Sequence, residues 1–132
     1  MGAEAYSYET EYSEDLNAVF EKLKAEVFSS GNFRFSEMNP SSIQEAQMNA
    51  EEEGTASILD LVGVSEHHQI GFMSPLSPDE YKSYFGSLTP SLAVVEDSME
   101  FWDSIGRVEA RAVVIFEDEI PVQLFVAGYS AD

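Results

Sequence analysis

The sequence predicts an α+β domain: a mainly antiparallel sheet of about five strands with four helices packed on it, in the order β-α-α-β-β-α-α-β-β. Three observations lead there. Four segments carry helix-capping residues at their ends, residues 6–12 alternate aromatic and polar, and two apolar runs flank the turn Glu117-Asp118-Glu119. Hairpins of this kind favour antiparallel pairing and leave the helices on one face of the sheet. No linker or low-complexity stretch interrupts residues 1–132, so the chain reads as a single globular domain.

Taken in order, Tyr6 to Tyr12 alternate tyrosines and Thr10 with Ser7, Glu9 and Glu11, the pattern of a half-exposed strand. Ser13 then caps a helix with Glu14 and Asp15 in its first turn. Leu16, Val19, Phe20, Leu23 and Val27 recur at helical spacing, and Gly31 ends it. A second helix starts near Asn39 and Pro40, with Ser41 and Gln44 as a capping box. It carries a thin stripe of Ile43, Ala46 and Ala50 and stops at Gly54. Thr55 to Val64 is apolar on both faces apart from Asp60 and reads as a central strand, followed by His68 to Met73 as its hairpin partner.

Ser77-Pro78-Asp79-Glu80 combines an N-cap, a proline in the first turn and an acid at the box position. It opens a third, short helix that ends at Gly86. The fourth helix starts at Thr89-Pro90 and presents Leu92, Val95, Met99, Trp102 and Ile105 on one face before Gly106. Val108 to Phe116 and Ile120 to Ala127 form the closing hairpin, with Pro121 at a strand start.

Charge is the strongest functional signal. Asp and Glu number 25 against 6 Lys and Arg, a formal net charge of −19. Self-repulsion on this scale opposes compaction, and it disfavours nucleic acid and anionic membrane surfaces as partners. The absence of cysteine excludes disulfides and thiolate chemistry and favours a reducing cytoplasm. No basic and apolar leader is visible, and no apolar run approaches the roughly 20 residues of a membrane span. Phosphate-binding loops, nucleophile elbows and zinc spacings are all missing, so no cofactor or metal is expected.

Three groups of residues are candidates for function. Glu96, Asp97, Glu100 and Asp103 fall along the fourth helix opposite its apolar stripe, with Glu96, Glu100 and Asp103 at i, i+4 and i+7. Like charges at this spacing repel by roughly 0.2–0.5 kcal/mol per pair. The pattern suits a landing face for a basic partner, although a merely solvated helix shows it too. Glu51, Glu52 and Glu53 oppose the dipole at the end of the second helix and form a secondary contact candidate.

Asp60, set among Ile58, Leu59, Leu61 and Val62, calls for an arginine partner, a solvated edge or a general acid-base role. With His67 and His68 it defines an alternative reading as a small enzyme or ligand-binding domain with a pocket between sheet and helices. Adjacent histidines on a strand face opposite ways, so both join one site only from a loop. The leading expectation is a non-catalytic binding or inhibitor protein, immunity- or antitoxin-like, that presents carboxylates to a basic protein such as a toxin or nuclease.

Overall fold

The computed structural model describes residues 3–131. Five strands, β1 (Ala5–Glu11), β2 (Gly63–Val64), β3 (Phe72–Pro75), β4 (Glu109–Glu117) and β5 (Ile120–Tyr129), form one sheet in the order β1-β5-β4-β3-β2. The β1/β5 and β4/β5 pairs are antiparallel, whereas β3 runs parallel to both β2 and β4. The α+β class expected from sequence stands, with a mixed sheet in place of a mainly antiparallel one.

Five helices accompany the sheet: α1 (Leu16–Ser30), α2 (Ile43–Ala50), α3 (Pro78–Phe85), α4 (Leu92–Asp97) and α5 (Met99–Asp103). They cover both faces, not one. Ala110 and Ala112 of β4 and Leu124 and Val126 of β5 pack against Val19, Phe20, Leu23 and Val27 of α1 and Ala46 of α2. Their alternates Val113, Ile115, Phe125 and Ala127 pack against α3, α4 and α5 through Tyr81, Phe85, Val95 and Phe101. Strand β4 is therefore buried on both sides, which is why its sequence runs apolar without clean alternation.

Several boundaries move for identifiable reasons. The N-cap of α1 is Asp15, whose carboxylate accepts from the Ala18 N–H at 3.1 Å. Ser13 instead accepts from Asp15 itself, so Glu14 and Asp15 precede the helix rather than filling its first turn. Ser42 caps α2, while Ser41 donates to the Glu45 carboxylate at 2.7 Å. The capping box on α3 is present as read, with Ser77 and Glu80 bonding each other's backbone N–H.

Thr55 to Val64 is not a central strand. Ser57 caps a short 3₁₀ turn at Ile58–Asp60, and the Asp60 carboxylate takes the Thr55 N–H and hydroxyl, both at 2.8 Å. Those side chains satisfy backbone groups that a ladder would otherwise use. Ile58, Leu59 and Leu61 are still fully buried, so the apolar run reports burial rather than extension. Only Gly63–Val64 pair, at the sheet edge, and the expected hairpin with His68 to Met73 is a short parallel contact. The closing hairpin forms as expected, with Asp118 and Glu119 both at positive φ, the twist-matched geometry of a two-residue turn.

Candidate functional site

The fourth predicted helix is broken in two at Ser98, whose backbone (φ −78°, ψ 100°) is extended. Side-chain bonds make the break, one of them to another helix. Ser98 Oγ accepts from the Phe101 N–H at 3.3 Å, capping α5, and donates to the Tyr84 carbonyl of α3 at 2.8 Å. The Trp102 indole N–H donates to the Glu96 carbonyl at 3.1 Å and closes the other side of the kink. A serine in the middle of an apparent helix thus ends one helix and starts the next.

This kink changes how the four carboxylates are arranged. Glu96 and Asp97 end α4, whereas Glu100 sits in the first turn of α5 and Asp103 ends it. Glu96 and Glu100 are consequently not neighbours on one continuous helix face. Glu100 lies where a helix N-terminus favours a negative charge, while Glu96 and Asp97 lie where the α4 dipole opposes one. All four side chains are exposed, and among the described residues no ion pair reaches any of them.

Apolar surface is interleaved with this charge. Met99 is 76% exposed and stands between Asp97 and Glu100, and Val94 of α4 is also exposed. Beneath them runs a chain of rings. Phe101 lies 5.8 Å from Trp102, which meets Phe125 at 6.1 Å and Tyr129 at 6.0 Å, both edge-on. Such edge-to-face contacts hold an aromatic platform in a defined geometry. Trp102, Tyr129, Asp103 and Arg107 border an open hollow of about 290 Å³ beside it.

The sequence missed what ties this surface down. Arg111 of β4 is fully buried and donates from two guanidinium nitrogens to the Glu80 carboxylate of α3, at 2.9 and 3.0 Å, and to the Pro75 carbonyl at 3.0 Å. Burial alone would push the Glu80 carboxyl upward. The Arg111 guanidinium together with the Ser77 N–H and hydroxyl outweighs it and holds Glu80 below the usual carboxylate range. The capping glutamate therefore also anchors α3, on which Ser98 leans.

The other candidates lie elsewhere. Glu51, Glu52 and Glu53 form an exposed 3₁₀ turn after α2, beside a hollow of about 620 Å³ that Phe35 also lines. Arg34 donates to the Glu53 carbonyl at 2.9 Å, supplying the cation that the end of this helical segment favours. Asp60 Oδ2 is buried without a hydrogen-bond partner, as is the Tyr6 hydroxyl. Burial, then the nearby Tyr8 and Asp60, push the Tyr6 phenol far above its ordinary value. Tyr8 is bonded instead, its hydroxyl accepting from the Ile58 N–H at 3.1 Å.

His68 lies 2.6 Å from Glu109 Oε1, the same oxygen that accepts the Gly106 N–H, while His67 is exposed. No hydrogen bond or ion pair joins Asp60 to either histidine, so the alternative pocket residues are held by separate partners. Among the described residues no group of three or more His, Asp or Glu is arranged to hold a metal ion, and no helix is long and apolar enough to cross a membrane. No family model matches this chain, and no curated protein or solved structure matches it either.

Proposed function

We propose that this chain is a binding protein that presents carboxylates to a basic protein partner, in the manner of an immunity or antitoxin protein set against a cationic toxin or nuclease. One observation carries the reading. Glu96, Asp97, Glu100 and Asp103 are all exposed and unpaired among the described residues, on a kinked helix pair that also exposes Met99 and rests on a ring platform. Partner arginines and lysines donate charge-assisted hydrogen bonds to the carboxylates, which stand in the positions that nucleic-acid phosphates fill on such a partner. Met99 and the edge of Trp102 supply the desolvated centre that charge alone does not. The net charge of −19 speeds encounter and makes it salt-dependent. Glu51, Glu52 and Glu53 extend the same surface chemistry to a second contact.

The test is capture from host lysate at low and moderate salt, with Glu96→Lys/Glu100→Lys as the paired variant. A stoichiometric basic protein is expected, bound at least about tenfold more weakly by the variant and with a flatter salt slope. Equal affinity and slope in both proteins would remove the α4–α5 surface from the proposal.

A further inference from the structure

The sheet leaves one long backbone edge open, and it is β1. The Ser130 N–H donates to the Glu4 carbonyl at 2.9 Å, which makes Glu4/Ser130 a hydrogen-bonded pair. Stepping by two along the unbroken register gives Tyr6/Gly128, Tyr8/Val126 and Thr10/Leu124 as the other bonded pairs. The Tyr129 carbonyl agrees with this phase, since it turns away from β1 to accept the Val108 N–H of the strand on the other side. Ala5, Ser7, Glu9 and Glu11 therefore point their N–H and C=O groups outward. All four residues are exposed, and no backbone hydrogen bond reaches them from beyond β5 among the described residues.

Open edges normally carry a lysine, a proline or a bulge that blocks a further strand. Strand β1, with the sequence AYSYETE and a continuous register, has none of these, and its only charges are the acids Glu9 and Glu11, which repel an acidic strand but not a basic one. Beside it, between β1 and α1, lies a hollow of about 270 Å³ lined by Tyr8, Leu23 and Val27 with Glu26 at its rim. The Glu9 carboxylate is on the other face of the sheet and accepts from the Gln123 amide at 3.1 Å. A strand laid along the edge sends alternate side chains to this side of the sheet. An apolar floor under an acidic rim fits a long aliphatic side chain with a cationic head. Two cations stand near the strand, each already engaged: Lys22, 3.3 Å from the Thr10 hydroxyl and 4.0 Å from Glu26, and Arg34, 3.0 Å from Glu4 just before it. Glu9 and Glu11 on the strand and Glu14 just beyond it leave the edge acidic.

We infer that the free edge of β1 is a strand-addition site that takes an extended, lysine- or arginine-bearing segment of a partner protein as a sixth strand. Main-chain bonds at Ala5, Ser7, Glu9 and Glu11 hold the segment, and the hollow between β1 and α1 selects a basic side chain. A second copy of this chain is disfavoured as occupant because it brings another −19 of charge to the same edge. The site is separate from the α4–α5 surface and does not depend on it.

The probe is a capped heptapeptide of alternating Lys and Val, titrated into the full chain and followed by amide exchange and ¹⁵N shifts. Protection is expected at the Ala5, Ser7, Glu9 and Glu11 amides, with those of Tyr6, Tyr8 and Thr10 unchanged. Ser7→Pro deletes an outward N–H without touching the β1/β5 ladder and should weaken binding at least about tenfold. Two N-methylated peptides, one modified at the lysines and one at the valines, test the same bonds from the probe's side, and one of them must fail to bind. The proposal is overturned by any of four results: no added protection at millimolar peptide, equal binding of the Glu-Val analogue, shifts confined to Glu96–Asp103, or protection that rises with protein concentration alone.

Discussion

Arg111 is 1% exposed, and Glu80→Gln removes the only charge bonded to it among the described residues. The substitution is selective. Glutamine at the third helical position still accepts the Ser77 N–H, so the capping box on α3 survives while the ion pair does not. Breaking a buried pair by removing one partner costs about 3–5 kcal/mol, because the remaining charge stays buried. The Glu80 side chain is 28% exposed and water reaches it, which places the expected loss at the low end, about 3 kcal/mol. Ser77→Ala, which removes the cap and leaves the pair, should cost about 1 kcal/mol.

Urea unfolding reads the difference directly. With a slope of about 2 kcal/mol per molar urea, Glu80→Gln should lower the midpoint by about 1.5 M without changing the slope. The double variant Glu80→Gln/Arg111→Met should be more stable than Glu80→Gln alone, since it no longer buries an unmatched guanidinium. The pH dependence has a definite sign. Glu80 titrates lower in the folded chain than its ordinary value of 4.5, so the folded state favours the carboxylate. Its contribution is full well above that value and is lost as pH falls through the folded value, so the gap between wild type and Glu80→Gln closes in acid. A loss under about 1 kcal/mol at neutral pH, or a gap that persists at low pH, refutes the argument.

Two further substitutions probe close contacts. A Cβ at Gly128 would stand 2.6 Å from the Tyr6 ring and hydroxyl and 2.7 Å from the Glu109 carbonyl, so Gly128→Ala should cost about 1–3 kcal/mol in thermal melts; wild-type stability would show that Tyr6 does not lie over Gly128. Ser98→Ala removes the α5 cap and the bond to Tyr84, with an expected loss of about 1–2 kcal/mol and a change in Trp102 fluorescence; an unchanged spectrum and midpoint would mean the kink does not depend on Ser98.

What the sequence disclosed and what it hid follow from range. The ends of α3 were legible because Ser77, Pro78 and Glu80 act within one turn at its start and Gly86 acts on the turn it closes. The closing hairpin was legible for the same reason. Glu80's second role was not, since Arg111 lies 31 residues away and nothing local announces the pair. The break at Ser98 hides in a good helical pattern because its cause is the Tyr84 carbonyl of another helix. Thr55 to Val64 misled because apolar periodicity reports burial, while Ser57 and Asp60 decided the backbone. The acidic residues of α4 and α5 were visible as composition, but their division between two helices was not. The open edge of β1 required knowing the strand order, which no residue of β1 encodes.

The pairing of β1 with β5 joins residues that are 126 positions apart at Glu4 and Ser130. During vectorial synthesis, Tyr6 and Tyr8 therefore emerge long before the strand that receives them, and α1 appears before the sheet it is to cover. At roughly 5–20 residues per second, that interval lasts on the order of ten seconds. Contacts this distant also close late when the whole chain refolds, because the loop they seal is long. The carboxylates around β1 keep this waiting segment hydrated and self-repelling. In that role the acidity acts as the nascent strand's own protection against premature pairing.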